Sequence, residues 1–283
     1  MSARIKTWGG WLLAAVLLGG LPAGLALWSI QRLNVPSASE ILGYKLAEVR
    51  RDARPVPRVY FARLPSELAR ISSAKERKSL FIRIMLPLIL RVDDDIRADR
   101  ERLLVLKRQL DAGTKLPGRD VRWIKDLARE YRVKDGNVDE LLRRVDVIPP
   151  SLALAQAAIE SGWGTSRFAQ QANALFGQWT YGSDGLVPAR RDDGSSHRVK
   201  AFPRLIEAVS NYAINLNTHQ AYDAFRQARA RLAGQTRWLN GLDLAETLSA
   251  YSQRGMEYVH DLRAIIRINR LTDFDRISLE NPA

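Results

Sequence analysis

Residues 150–164 constrain the fold more than any other segment of this chain. The run is apolar on nearly every side until Glu160, and it begins with Pro149-Pro150, which suits a first helical turn. Gly162 follows the carboxylate and can end the helix. Because a helix that is apolar all round must be covered on every face, we expect it in the centre of a domain. The sequence therefore predicts a central helix near 150–160 that delivers Glu160 from the core to a surface cleft.

Glu160 has the surroundings that a general acid requires. Its neighbours Ile159, Trp163 and Phe168 are apolar, and removal from water disfavours the charged form of a carboxyl group. A carboxyl group that holds its proton near neutral pH can donate it to a leaving group. The C-terminal end of a helix dipole also disfavours a negative charge. The alternative interpretation is a surface glutamate at the end of a helix.

Helical periodicity covers most of the chain, and one glycine-rich interval interrupts it. Apolar residues recur at three-four spacing from Ser66 onward, and Pro87 is predicted to kink or break the first long helix. Residues 176–202 contain repeated glycines between short strand-like pieces, which predict a β lobe of two or three strands. Helices resume at Pro203 and continue to about Asn269. The predicted fold class is mostly α (α+β).

The segments on either side of this body are less regular. Residues 33–65 hold scattered Pro, Ser and charged residues with little periodicity, and we interpret them as a linker or an extended arm packed on the body. The end of the chain, 271–283, is polar, and we expect a loose tail.

Residues 7–31 carry no charge and are long enough to span a bilayer, and Arg4 and Lys6 precede them. Two interpretations fit residues 1–32. A signal anchor would remain and would attach the protein to the inner membrane, whereas a signal peptide would be cleaved near Gly24-Leu25-Ala26. Both place residues 33–283 in the periplasm.

The formal net charge of the chain is +13. Basic proteins bind nucleic acids, anionic lipids or acidic polymers. The cations are dispersed along helices and no nucleic-acid-binding motif accompanies them, so we expect no nucleic acid partner. Attraction to an anionic cell wall and simple solvated helix faces both explain the charge. Three of the dispersed cations are Arg226, Arg229 and Arg231.

The chain has no cysteine, and its three histidines, His197, His219 and His260, are far apart. This pattern excludes disulfides and thiolate ligands, and it shows no metal-ligand spacing. We therefore expect no metal and no cofactor. Cleavage of an amide bond is disfavoured, because the sequence offers neither a zinc site nor a nucleophilic cysteine.

Five blocks of sequence, in order, are similar to those of a known family. The run from Leu154-Ala155-Gln156 to Ser166 resembles the catalytic signature of bacterial glucosaminidases (mannosyl-glycoprotein endo-beta-N-acetylglucosaminidase-like) that cut peptidoglycan. Residues 60–270 as a whole resemble the Bax-type proteins of Gram-negative bacteria, which carry such a domain. The further blocks are Asn173-Ala174-Leu175-Phe176-Gly177, Val199-Lys200-Ala201-Phe202, Asn211-Tyr212 with Leu216-Asn217-Thr218-His219-Gln220-Ala221-Tyr222, and Tyr251-Ser252 with Tyr258-Val259.

The resemblance implies a lysozyme-like helical domain with a small β lobe at 146–270, preceded by an N-terminal helical region within 33–145. It implies hydrolysis of the β-1,4 bond after N-acetylglucosamine in peptidoglycan, with glycan strands as partner and Glu160 as the acid. A muramidase or lytic transglycosylase is the nearest enzymatic alternative. A catalytically idle wall-binding module is the alternative from another class.

A second catalytic group is harder to identify. Related glucosaminidases often carry another glutamate in the β lobe, but residues 187–193 contain none. Asp192 or Asp193 could serve instead, although Asp192-Asp193-Gly194-Ser195 also has the composition of a turn. The family's Tyr-Ala-Thr-Asp-Pro pattern is replaced here by Tyr251-Ser252-Gln253-Arg254-Gly255. Assistance by the acetamido oxygen of the sugar would need no second carboxylate.

Aromatic and amide side chains near these blocks are candidates for sugar binding. Aromatic rings can stack on the apolar faces of sugars, but Tyr258 begins an apolar stripe and could simply pack. Asn173 could bind an acetamido group or cap the backbone of the β lobe. The substrate-binding candidates are Trp163, Asn173, Phe176, Trp179, Tyr251 and Tyr258.

Overall fold

A computed structural model describes residues 37–180, 182–183, 185–187, 198–235 and 238–282. The helices are α1 (Ala38–Leu42), α2 (Leu46–Asp52), α3 (Ala74–Asp111), α4 (Gly118–Glu130), α5 (Val138–Arg144), α6 (Pro150–Ser161), α7 (Arg167–Ala172), α8 (Leu205–Thr218), α9 (Asp223–Ala233), α10 (Gly241–Ala245) and α11 (Met256–Ile268). Short 3₁₀ turns join several of them. Within these ranges, no helix is both long and apolar enough to cross a bilayer. The apolar run 7–31 lies outside the described residues.

Helix α6 is the centre of the fold, as its apolar sequence predicts. It packs against α3, α10, α11 and the 3₁₀ turn Leu271–Phe274. Every residue from Leu152 to Ala158 is buried. Pro150 stands in the first turn, and Gly162 ends the helix with a left-handed φ of 59°. The core therefore holds α6 rigidly along most of its length and leaves only its last turn near the surface.

Helix α3 is continuous from Ala74 to Asp111, so of the kink or break predicted at Pro87 the break is wrong, while the kink stays a prediction. Proline removes one helical hydrogen bond and usually ends or kinks a helix. Here the residues around it are buried, including Ile84 and Leu88, which are fully inaccessible to water. Their burial against α6 and α8 stabilises the helix on both sides of Pro87.

The β lobe is a small antiparallel sheet. Its strands are β1 (Trp179–Thr180), β2 (Gly185–Leu186) and β3 (Arg198–Lys200), and β3 lies between the other two. Val199 lies opposite both Trp179 and Leu186 in the register. The mostly α fold with a small sheet that the sequence predicts is confirmed.

Both ends of the described chain are part of the core, so the expected loose tail at 271–283 is not found up to Pro282. Leu271 and Phe274 are fully buried, because they pack under α6. Val56 and Leu279 form a parallel β-bridge that ties the N-terminal arm to the tail. The described residues from Ser37 onward belong to one compact unit, and the predicted division at 145/146 into an N-terminal helical region and a glucosaminidase-like domain stays a prediction.

Two arginines that the sequence places on solvated helix faces are instead buried in α9. Arg226 is 2% exposed and Arg229 is fully inaccessible to water. Both guanidinium groups donate hydrogen bonds to backbone carbonyl groups through their terminal nitrogens, which offsets much of the cost of burial, although neither Nε atom has a hydrogen-bond partner in the described structure.

Candidate active site

Glu160 lies in the last turn of α6 and is partly buried. The first turn of the same helix is held by Asp275, whose carboxylate accepts hydrogen bonds from the Ser151 backbone N–H and hydroxyl, both at 2.8 Å. Burial raises the pKa of Glu160, and a hydrogen bond with the Tyr258 hydroxyl opposes that rise. Burial therefore favours the protonated form of this carboxyl group, whereas its role as the catalytic acid stays a prediction.

A chain of hydrogen bonds orients the hydroxyl group that contacts Glu160. The Tyr212 hydroxyl donates to Gln156 Oε1 at 2.7 Å, and Gln156 Nε2 donates to the Tyr258 oxygen at 3.0 Å. Because the Tyr258 oxygen accepts from Gln156, its own proton is directed to the Glu160 carboxylate. Gln156, Tyr212 and Tyr258 are all buried. The Glu160 carboxyl group is thus held by a preformed network rather than by solvent.

Gly177 closes the other side of the carboxyl group. A Cβ atom built on Gly177 would lie 2.8 Å from Glu160 Oε2, which is closer than real Cβ contacts. The φ angle of Gly177 is +63°, in the left-handed region that favours glycine. A side chain at this position would therefore be strained and would push against the end of the Glu160 side chain, so the backbone at the entrance of the β lobe lies directly against this carboxyl group.

Replacing Gly177 with alanine is expected to displace the Glu160 carboxyl group and to lower activity by about 10²-fold, the effect of misplacing a catalytic group by about 1 Å. The left-handed backbone adds about 1–2 kcal/mol of strain. Gly136→Ala is the matched control, because Gly136 has the same φ of +63° and nothing within 4 Å of its Cβ position. Both activity and the thermal unfolding transition are measured for the two variants. Equal activity would show that Gly177 does not position the Glu160 carboxyl group.

Three tyrosines line the region beside Glu160. The Tyr251 ring stacks on Tyr258, with centroids 5.5 Å apart, and its hydroxyl donates to the Phe176 carbonyl at 2.9 Å. Tyr222 lies 5.9 Å from Tyr251, and its hydroxyl is hydrogen-bonded to the Asn215 side chain. Burial raises the pKa of all three phenols, so they remain neutral donors.

The predicted sugar-binding residues separate into two groups. Tyr251 and Tyr258 lie beside Glu160, whereas Phe176 is 2% exposed and its ring stacks on Tyr212 at 4.1 Å. Asn173 is fully buried, and its Nδ2 donates to the carbonyl groups of Phe202 and Pro203. Phe176 and Asn173 therefore hold the β lobe in place and offer no surface to a sugar in this structure.

Trp163 and Trp179 lie apart from this cluster. The Trp163 ring meets Phe81 edge-on at 5.8 Å and lies 4.9 Å under the Lys78 ammonium group, so it packs on α3. Trp179 is 59% exposed on β1. Of the two indoles, Trp179 is the one that a ligand reaches directly.

No second carboxylate from the described part of the chain acts on the pKa of Glu160. The causes of its raised pKa are burial and the Tyr258 hydrogen bond, and they include no carboxylate from these residues. Asp192 and Asp193 lie outside the described residues, as does His197. The same described ranges contain no cluster of three or more His, Asp or Glu side chains that could hold a metal.

Sequence reasoning missed Gln156, Tyr212 and Gly177 as parts of the site. One signal was available, since Gln156 and Glu160 are four residues apart and share a helix face. The contact between Gln156 and Tyr258 joins residues 102 positions apart and has no local signal.

The chain is similar in sequence to a known family and to a bacterial protein, and a comparison with solved structures finds a catalytic domain. The glucosaminidase family, described as mannosyl-glycoprotein endo-beta-N-acetylglucosaminidase, matches residues 136–271. Protein bax of Escherichia coli (strain K12) is 35% identical over 210 residues, which are 72% of this chain and 74% of that protein. Among solved structures, the catalytic domain of the autolysin Auto from Listeria monocytogenes covers 60% of this chain and 96% of its own, with 20% identity and a TM-score of 0.36. That TM-score is too low to establish a common fold.

Proposed function

We propose, since this chain belongs to the Bax-type proteins that carry a glucosaminidase domain, that it hydrolyses peptidoglycan in the periplasm at the β-1,4 bond after N-acetylglucosamine. The observation that carries the proposal is the Glu160 carboxyl group, partly buried at the end of a rigid core helix with a raised pKa. Its surroundings are suited to the proton donor of a lysozyme-like glycosidase.

In the proposed mechanism, Glu160 protonates the glycosidic oxygen as the bond to the leaving sugar breaks. A raised pKa keeps a larger fraction of the carboxyl group protonated near neutral pH. The Tyr258 hydroxyl, oriented by Gln156, hydrogen-bonds to the carboxylate that remains. That interaction strengthens as negative charge develops on Glu160, so it stabilises the transition state more than the ground state.

We favour the acetamido group of the substrate as the second catalytic group. Stabilisation of the oxocarbenium centre by the sugar itself requires no partner carboxylate, and no carboxylate of the described residues acts on the pKa of Glu160. Asp192 or Asp193 remains the alternative candidate for activating water.

The products of digestion test which bond is cleaved. Mass analysis of fragments released from purified sacculi by the full chain is expected to find N-acetylglucosamine at the new reducing ends. A muramidase would leave N-acetylmuramic acid there, and a lytic transglycosylase would leave its anhydro form. An idle wall-binding module would release no fragments while it still sediments with the sacculi.

Tyr258→Phe is expected to shift the alkaline limb of the pH–rate profile to higher pH. The hydroxyl stabilises the ionised form of Glu160 and so lowers its pKa, and removing it lets the pKa rise further. Glu160 then stays protonated to higher pH. Tyr60→Phe is the control, because Tyr60 is 40% exposed and lies on the N-terminal arm. If the alkaline limb of the pH–rate profile stays in place or moves to lower pH, the Tyr258 hydroxyl does not stabilise the ionised form of Glu160.

A further inference from the structure

A separate pocket of about 260 Å³ opens beside the candidate active site. It lies between the β lobe and one face of α8, and the residues that matter here are Arg132, Gln178, Trp179, Lys200, Asn211 and Asn215. Gln178 directly follows Gly177, the residue that lies against Glu160. On the other wall, Asn215 is hydrogen-bonded to Tyr222, which also neighbours the acid. If a glycan strand is bound with its cleaved bond at Glu160, the groups attached to the adjacent sugars would therefore lie at this pocket.

The pocket carries two cations and no acidic lining residue. Arg132 reaches it from the loop after α4, and Lys200 from the end of β3. Neither forms an ion pair with a carboxylate of the described residues, and the Lys200 ammonium group lies 5.4 Å from the centre of the Phe202 ring. Many other arginines of this chain are paired, for example Arg204 with Glu207 at 2.8 Å. Two like charges without a counterion favour an anionic ligand.

The polar groups of the pocket also favour an amide. The Gln178 side-chain nitrogen and oxygen are both buried, and neither has a hydrogen-bond partner in the described structure. Leaving a buried polar group unpaired is unfavourable. Asn211 adds a second side-chain amide, and the exposed Trp179 ring adds a flat apolar surface. An acidic peptide supplies the matching chemistry, with carboxylates for the cations and backbone amides for Gln178 and Asn211.

We propose that this pocket binds the acidic peptide carried by the glycan strand, next to the bond that is cleaved. The inference rests on the proposed function, because it requires a peptide-bearing glycan as substrate. Arg132 and Lys200 then set a preference for strands that still bear their peptides, while Glu160 performs the same chemistry on either kind of strand.

The test compares two substrates, intact peptidoglycan and the same strands stripped of peptide by an amidase, with Arg132→Gln/Lys200→Gln. We expect the double variant to lose at least about tenfold in kcat/KM on the peptide-bearing strand through a higher KM, since charge-assisted hydrogen bonds are lost. It is expected to cleave the stripped strand at the wild-type rate. Lys115→Gln/Lys125→Gln is the control, because it removes the same charge from exposed positions outside the pocket.

Other outcomes overturn the proposal. An equal loss on both strands would assign the cations to a group of the sugar backbone that both strands share, and a loss confined to the stripped strand would assign them to the muramyl carboxylate, which is free only after the amidase has removed the peptide. No loss on either strand would show that the two cations bind no peptide. If the wild type cleaves neither strand, the proposed activity fails, and direct binding of soluble peptide-bearing and peptide-free fragments still decides the pocket. Peptide-dependent binding that the double variant loses would then support it, and equal binding of the two fragments would reject it.

Discussion

Glu160→Gln is expected to lower the rate of glycan hydrolysis by at least about 10²–10⁴-fold, the usual contribution of general acid catalysis. Glutamine is nearly isosteric with glutamate but has no proton to donate to the glycosidic oxygen. Its carbonyl oxygen can still accept the hydrogen bond from Tyr258, so the local packing is preserved. The measurement is the release of soluble fragments from purified sacculi, followed over time.

The same substitution is expected to leave the fold at least as stable as the wild type at neutral and alkaline pH. A carboxyl group whose folded pKa is raised stabilises the fold at low pH, and that contribution is lost as pH rises through the folded pKa. A neutral glutamine does not ionise and avoids this loss. A substitution that stabilises the fold but lowers activity is typical of a functional site.

Glu101→Gln provides the matched control for charge and shape. Glu101 is exposed on α3, outside the residues that surround Glu160. We expect wild-type hydrolysis from this variant. If Glu160→Gln hydrolyses glycan as fast as the wild type while the control also behaves normally, Glu160 is not the proton donor. The acid that the family resemblance implies would then have to be another residue.

The position of Glu160 at the end of a core helix could be predicted because its signals are local. Pro149-Pro150 and Gly162 mark the ends of α6, and the apolar residues between them predict a buried helix. Burial of that helix then implies a carboxyl group that leaves the core at its last turn. Each step depends on neighbours in the sequence, which is the range over which pattern and propensity are informative.

The partners of Glu160 could not be predicted, because they come from distant parts of the chain. Tyr258 fitted an apolar stripe on α11 as well as it fitted a ligand site, and only the fold shows that its hydroxyl meets Glu160. Phe176 and Asn173 resembled binding residues by type and position. Their burial follows from the way the β lobe docks on α8, which no local pattern encodes.

Charge was the least informative signal for burial. Arginines spaced along α9 are typical of a solvated face, yet Arg229 is fully inaccessible to water. Its partners are mainly backbone carbonyl groups in the last turn of α5 and in the segment between α5 and α6. Every residue has a carbonyl group, so these partners leave no mark in the sequence. A buried arginine of this kind therefore has no recognisable partner in the sequence.

Arg229→Met is expected to cost about 3–5 kcal/mol of stability, the usual effect of removing one member of a buried ionic network. The guanidinium group donates to the carbonyl groups of Asp146, Val147, Arg143 and Arg144 and, at 2.7 Å, to Asn217 Oδ1. Methionine fills similar volume but leaves those acceptors unpaired. At about 2–4 °C per kcal/mol for a domain of this size, the melting temperature should fall by about 6–20 °C.

Two further variants separate the hydrogen-bond network from simple charge. Arg231→Met lies on the same helix and removes the same charge from an exposed position, so its melting temperature should stay near the wild-type value. Arg229→Lys keeps the charge but not the planar fork of donors, and it should recover only part of the loss. Full recovery by lysine would mean that charge alone stabilises this region. A similar melting temperature for Arg229→Met and Arg231→Met would show that the segment leading into α6 does not depend on this buried guanidinium group.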